Sequence, residues 1–240
     1  MTKFSSFIKF KTLILFCLFL CFVCFSYGST SEKDSKTKYQ TVVLPKFRLG
    51  AQIGYAYRFL PEQKYYSPPN QQEYDSKFKN NLCYGVDITY YFLGNYLGLG
   101  LKYNGTYTQA KQAKIKDWPD GTSGILPISE KIGIHYIGAY LSGRYFVKPN
   151  KHCLFANAGA GLSIYRNKAT FMYYGDYITD IQRKLSIESI ATFSAEIGYD
   201  FFVTKSLAIG VQITSSVGLH RKRAPVDYLG VTVGIRYNKY

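Results

Sequence analysis

The stretch Tyr84–Tyr103, YGVDITYYFLGNYLGLGLKY, decides the fold. In its first half Tyr84, Val86, Ile88, Tyr90 and Phe92 share one parity, and Gly85, Asp87, Thr89 and Tyr91 share the other. In its second half Leu97, Leu99, Leu101 and Tyr103 alternate with Gly98, Gly100 and Lys102. A strict period of two with bulky apolar residues on one face is the pattern of a β-strand with two unlike sides. Gly94-Asn95 between the halves suits a two-residue primed turn, whose central residues both need positive φ. Such a turn pairs Leu93 with Tyr96, Phe92 with Leu97 and Ile88 with Leu101, and sets Asp87 opposite Lys102 on the other face. Apolar residues then meet on one side and opposite charges on the other, so the pairing agrees with faces assigned from the alternation alone.

The same alternation recurs on both sides of the hairpin. Phe47 to Phe59 places Phe47, Leu49, Ala51, Ile53, Tyr55, Tyr57 and Phe59 against Arg48, Gly50, Gln52, Gly54, Ala56 and Arg58. The fourth strand, Ile132 to Phe146, is less regular; Ile137, Ala139, Leu141 and Tyr145 are assigned outward, and Tyr136, Tyr140, Ser142 and Arg144 inward. The fifth and sixth face Leu154 to Ile164 and Ala191 to Phe201 outward, with Glu196 and Asp200 inward. The seventh and eighth do so with Leu207 to Val217 and Leu229 to Tyr237. Short turns are expected at Gly94-Asn95, Val147–Asn150 and Val203–Lys205, and longer connections at 60–81, 108–131, 166–189 and 219–226. Short turns alternating with long loops belong to a bacterial outer-membrane barrel. The expected fold is all-β, an eight-stranded antiparallel up-and-down transmembrane β-barrel over residues 47–240, with both termini in the periplasm.

Composition and targeting agree with this placement. Aromatic residues make up 18% of the chain, yet mean hydropathy is only −0.13, because apolar and polar residues are interleaved. Lys3, Lys9 and Lys11 precede the apolar run Thr12–Tyr27, which ends Ser26-Tyr27-Gly28, so residues 1–28 read as a cleaved secretory signal peptide. The run is shorter than the ~20 residues of a membrane helix. Removing it lowers the net charge from +15 to +12. Residues 29–46 form a polar stretch ending in a short apolar patch, a periplasmic linker. Cys83 and Cys153 fall near opposite ends of the barrel, and no disulfide is expected between them.

The inward parity carries Arg48, Arg58, Asp87, Lys102, Arg144, Glu196, Asp200 and Arg236. An eight-stranded barrel is filled by its own side chains, so these charges should pair and hold the lumen shut. A narrow ion path is the alternative. Aromatic residues near strand ends, including Tyr57, Phe59, Tyr145, Tyr165, Tyr199 and Tyr237, are expected in two interfacial girdles. The run His220-Arg221-Lys222-Arg223 is the densest basic cluster, a candidate contact for lipopolysaccharide phosphates or simply a solvated loop. Positive charge is otherwise scattered, which argues against nucleic acid. His135, His152 and His220 were weighed as general bases; no metal motif, phosphate loop or GxSxG elbow accompanies them. No cofactor or metal site is expected.

The stretches FRLGAQIGYAYRF, YGVDITYYFLGNYLGLGLKY, YIGAYLSGRYFV and YLGVTVGIRYNKY together resemble the outer-membrane β-barrel domain family of Bacteroidota that includes PorT-type proteins, and more distantly OmpA/OmpX-type barrels. That resemblance implies a monomeric integral barrel without a shared catalytic motif, serving adhesion, envelope integrity or a protein secretion system. The expected function is therefore non-enzymatic, with outer-membrane lipid, lipopolysaccharide and envelope or secretion-system proteins as partners. The alternatives are a small pore-former and a lipid A-modifying enzyme.

Overall fold

The structure is a computed structural model that describes residues 44–59, 76–111, 124–148, 151–174, 180–219 and 226–240. The expected signal peptide, nearly all of the expected linker and the basic run His220–Arg223 lie outside the described residues. Eight strands follow one another: β1 (Phe47–Arg58), β2 (Asn80–Leu93), β3 (Leu97–Lys111), β4 (Gly124–Lys148), β5 (His152–Tyr174), β6 (Asp180–Phe202), β7 (Leu207–Gly218) and β8 (Tyr228–Lys239). Each pairs antiparallel with its chain neighbours, and β8 returns to β1, closing the barrel. The all-β, eight-stranded up-and-down transmembrane barrel expected from the alternation is the fold observed.

Burial is inverted relative to a water-soluble sheet. Leu101, Ile137 and Ile235 on the outer face are 62%, 58% and 58% exposed, whereas Arg58 and Arg236 inside are 1% exposed. Every assigned parity holds, including that of the irregular β4, where Tyr136, Tyr140, Ser142 and Arg144 are buried while Ile137, Leu141 and Tyr145 face out. A closed sheet with an apolar exterior is one of two ways a chain can cross hydrocarbon with its backbone groups satisfied.

The β2–β3 hairpin has the expected turn. Gly94 and Asn95 adopt φ of 54° and 61°, and Tyr96 N donates to Leu93 O at 2.9 Å. Asp87 faces Lys102 and Ile88 faces Leu101, as the pairing required. The ladder departs from expectation at Phe92, which is bulged out so that Leu93 pairs with Leu97 and the Phe92–Leu97 pair is not formed. The bulge leaves both Phe92 and Leu93 exposed on the outer surface, adding an apolar side chain at the rim beside the β2–β3 turn.

Two expected loops contain strand over their described residues. Segments 108–131 and 166–189 contribute to ladders in which Lys111 pairs with Ser129, Gly124 with Tyr174 and Tyr173 with Asp180. The apolar-face criterion stops where lipid stops, but pairing needs only backbone groups and continues through polar sequence. As a result β4, β5 and β6 project past the other strands as a three-stranded sheet. Likewise the 60–81 connection ends in one helical turn, residues 76–79, before β2.

Glycines let the wall turn. A Cβ on Gly161 would run into the Ile137 carbonyl and lie 2.5 Å from Gly138 Cα. Gly54 has the same relation to the backbone of Val231 and Thr232. These sites lie on the β4–β5 and β1–β8 seams, four strands apart and therefore on opposite sides of the barrel. Gly161→Val should destabilise the folded barrel by about 1–3 kcal/mol through overpacking, read as a lowered urea midpoint in lipid vesicles; an unchanged midpoint would remove the close approach as a cause.

Candidate functional site

All eight expected interior charges point into the barrel and are buried, at 1% to 6% exposure. Six of them form two ion-paired groups. In the first, Arg48 Nη2 lies 3.3 Å from Asp87 Oδ2 and its Nη1 3.8 Å from Asp200 Oδ2, while Arg236 Nε lies 3.2 Å from Asp200 Oδ1. Two cations and two anions therefore balance. Phe155 packs between the two guanidinium groups, with Arg48 Cζ 4.3 Å and Arg236 Cζ 5.2 Å from its ring centre. Gly198 makes this possible, since a Cβ there would meet the Phe155 ring.

In the second group Lys102 Nζ sits 2.8 Å from Glu196 Oε1. Asn157 Nδ2 donates to Glu196 Oε2 at 2.9 Å and Thr214 Oγ1 to Oε1 at 3.1 Å. The Lys102 ammonium also lies 5.3 Å from the Tyr140 ring and 5.7 Å from that of Tyr136. Gln212 joins the two groups: its Nε2 donates to Glu196 Oε1 at 3.5 Å, and its Oε1 accepts from Arg236 Nη2 at 2.6 Å. At the far end Tyr140 Oη donates to Asp87 Oδ2 at 3.3 Å and lies 2.5 Å from Thr89 Oγ1. All eight strands supply a member, so the network ties the whole circumference together.

Asp87 and Lys102 are opposite each other in the ladder, yet each finds its ion partner elsewhere. Small residues explain this. Gly50 faces Asp87 across the β1–β2 ladder, and a Cβ there would collide with the Asp87 carboxylate. The open space directs Asp87 toward Arg48, and Lys102, long enough to cross the lumen, reaches Glu196. The polar partners Gln212, Asn157, Thr214 and Tyr140 were not anticipated as a network. Their inward parity was visible, but which of them meet across the lumen depends on strand tilt and barrel width.

The remaining two cations stand apart from the acids of these groups. Arg144, at the mouth beside the β2–β3 turn, donates through Nε to Asn95 O at 2.6 Å and through Nη2 to Pro45 O. Its guanidinium stacks 3.5 Å from the centre of the Tyr91 ring. Arg58, near the opposite mouth, donates to Asn81 Oδ1 at 2.9 Å.

Apolar clusters cover the charged layer at both ends. On the side of the β2–β3 turn Leu44 packs with Phe146, Cys153, Phe202 and Ala208. Leu44 lies within the stretch 29–46 read as a linker, and Asn95 Nδ2 donates to its carbonyl at 3.3 Å. On the other side Phe78, from the helical turn, and Val226 close over Ala110, Ile132, Ile134, Tyr165 and Ile190. Tyr165 is thus a correction to the expected girdle: it is on the inward parity of β5 and is buried. Cys83 and Cys153 are both free and buried.

Among the described residues the candidate bases do not assemble a catalytic set. His135 lies on the outer face, with Nδ1 2.7 Å from Tyr103 Oη, while Ser142 of the same strand faces the lumen. His152 hydrogen-bonds Tyr199 Oη on the outer surface near the rim that carries the β4–β5 turn. His220 is outside the described residues. Among the described residues no group of three or more His, Cys, Asp and Glu could hold a metal ion.

No protein-family model and no curated protein matches the sequence. Among solved structures the chain is similar to the attachment invasion locus protein Ail of Yersinia pestis, at 15% identity over 80% of this chain and 99% of that one, TM-score 0.42. It is similar to Neisserial surface protein A at 12% identity over 81% and 98%, TM-score 0.43. A third is the N-terminal β-barrel domain of Pseudomonas aeruginosa OprF, at 13% identity over 82% and 99%, TM-score 0.39. The likeness is one of architecture, and nothing about ligand or activity passes across it.

Proposed function

We propose that this chain is a non-enzymatic outer-membrane protein whose lumen is a sealed, charge-filled plug and whose role at the envelope is structural, adhesive or supportive of secretion. On this reading residues 1–28 are a cleaved export signal, 29–46 a periplasmic linker and 47–240 a monomeric barrel with both termini in the periplasm. The finer kinship belongs to the same proposal: a barrel of the Bacteroidota type that includes PorT-type proteins. Lipid and lipopolysaccharide surround it, envelope or secretion-system proteins are its partners, and nucleic acid is not.

The observation that carries the reading is the layering inside the barrel. A set of buried charges, six of them ion-paired, lies between two apolar clusters, and an ion entering from either side would first have to cross an apolar layer before breaking ion pairs. A permanently closed interior leaves the outer surface and the projecting β4–β6 sheet as the parts available to partners.

The test is conductance in planar bilayers. The folded protein is expected to produce no discrete current steps. Steps whose size changes with Asp87→Asn or Lys102→Met would replace the plug with a pore. Mass spectrometry of lipid A from cells with and without the protein, and with His135→Ala, addresses the enzyme alternative: unchanged lipid A in all three is expected, and a His135-dependent modification would establish a lipid-modifying activity.

A further inference from the structure

Above the lipid belt, the sheet that β3 to β6 carry outward has unlike faces. Its outward parity bears Lys111, Lys131, Arg166, Lys168 and Arg183, all exposed, and no acid among the described residues. The acids of the same strands, Glu130 and Glu188, are on the other parity, opposite buried Ala169 and Tyr165. Lys131 and Lys168 are direct cross-strand partners. Like charges in that position repel and destabilise a sheet unless something negative lies between them. Among the described residues none of the five cations forms an ion pair.

The height of this face indicates what lies against it. On β5 the apolar outward row runs from Leu154 to Ile164, which at ~3.3 Å per residue and ~45° tilt fills a hydrocarbon belt of about 25 Å. Arg166 and Lys168 then stand about 5 and 9 Å above Ile164, at headgroup depth. Each is paired across the ladder with an aliphatic residue, Arg166 with Ile187 and Lys168 with Leu185. Cations beside branched aliphatic side chains, on a surface continuous with the lipid-facing wall, match a ligand whose phosphates sit at the roots of its acyl chains.

We propose that Lys131, Arg166, Lys168 and Arg183 form a site for the phosphates of a lipid A-type glycolipid in the outer leaflet. This rests on the outer-membrane placement proposed above. It is distinct from the basic run His220–Arg223.

The test places the folded full chain in phosphatidylcholine vesicles alone, with diphosphoryl lipid A, or with the dephosphorylated lipid, and follows urea unfolding. The wild type should be most stable with diphosphoryl lipid A. In phosphatidylcholine alone, Lys131→Gln/Lys168→Gln should match or exceed the wild type, because the repulsion is relieved. With diphosphoryl lipid A the double variant should lose about five-fold in unfolding equilibrium constant per cation removed relative to the wild type. A structural role alone would not reverse sign between lipids. Equal phosphate-dependent gains in variant and wild type would overturn the proposal, as would a gain abolished only when His220–Arg223 are replaced. A gain produced by soluble heparin but not by lipid A would overturn it in favour of a soluble polyanion. Identical mobility of boiled and unboiled protein after incubation with every vesicle would overturn the membrane placement as well; insertion without a phosphate effect overturns the lipid site alone.

Discussion

Removing the Glu196 carboxylate is expected to be among the most damaging single changes in the barrel. Glu196→Leu strips the one anion within reach of the Lys102 ammonium, and it deprives Asn157 and Thr214 of their acceptor. An ammonium at 4% exposure cannot recover solvation in place. Breaking a buried pair from one side costs about 3–5 kcal/mol, far more than the pair contributes relative to an apolar substitute. The double variant Glu196→Leu/Lys102→Met should therefore recover most of the loss. Urea unfolding in lipid vesicles, followed by the mobility shift between folded and boiled protein, measures both variants. If the two single changes simply add in the double variant, the pair does not act as a unit, and the network as described is wrong.

Asp200→Asn should have a comparable effect for a different reason. Asp200 serves two guanidinium groups, Arg48 and Arg236. Neutralising it leaves those two cations with Asp87 as the only anion of their group, around a shared Phe155 ring. The expected cost is about 3 kcal/mol or more. Arg236→Gln added to Asp200→Asn restores the balance of one cation to one anion and should recover stability, whereas Arg236→Gln alone should not stabilise. A loss under about 0.5 kcal/mol for Asp200→Asn, the scale of an exposed pair, would show that water reaches this carboxylate and that the group it forms with Arg48 and Arg236 is not dry.

These expectations rest on features that were unequally legible in the sequence. Strand identity, the faces of all eight strands and the burial of Arg48, Arg58, Asp87, Lys102, Arg144, Glu196, Asp200 and Arg236 follow from parity, because a sheet with lipid outside tolerates only one assignment per strand. Pairing across the lumen does not follow. Asp87 and Lys102 are ladder neighbours that bond elsewhere, since the choice depends on the empty volume at Gly50 and on the reach of a lysine across the barrel. The upper strands were hidden for another reason. Residues such as Lys131, Lys168 and Arg183 put charge on the outward parity, where lipid-facing strands carry apolar side chains, so a criterion built on apolar faces reads them as loop. Tyr165 was misplaced by the same shortcut: its position near the expected end of β5 suggested an interface, while its parity, shared with Ser163, puts it inside.

The β1–β8 seam sets the order in which the molecule can be made. Phe47 pairs with Lys239 and Arg58 with Tyr228, joining the first strand of the barrel to the last. Every other hairpin can form as its two strands become available, but this ladder must wait for the C-terminal strand to be delivered. Until then β1 carries an open row of donors and acceptors, an invitation to pair with another chain. Closure over so long a sequence separation is intrinsically slow. While that seam is open, β1 and β8 are the two strands of the ring that each lack one neighbour.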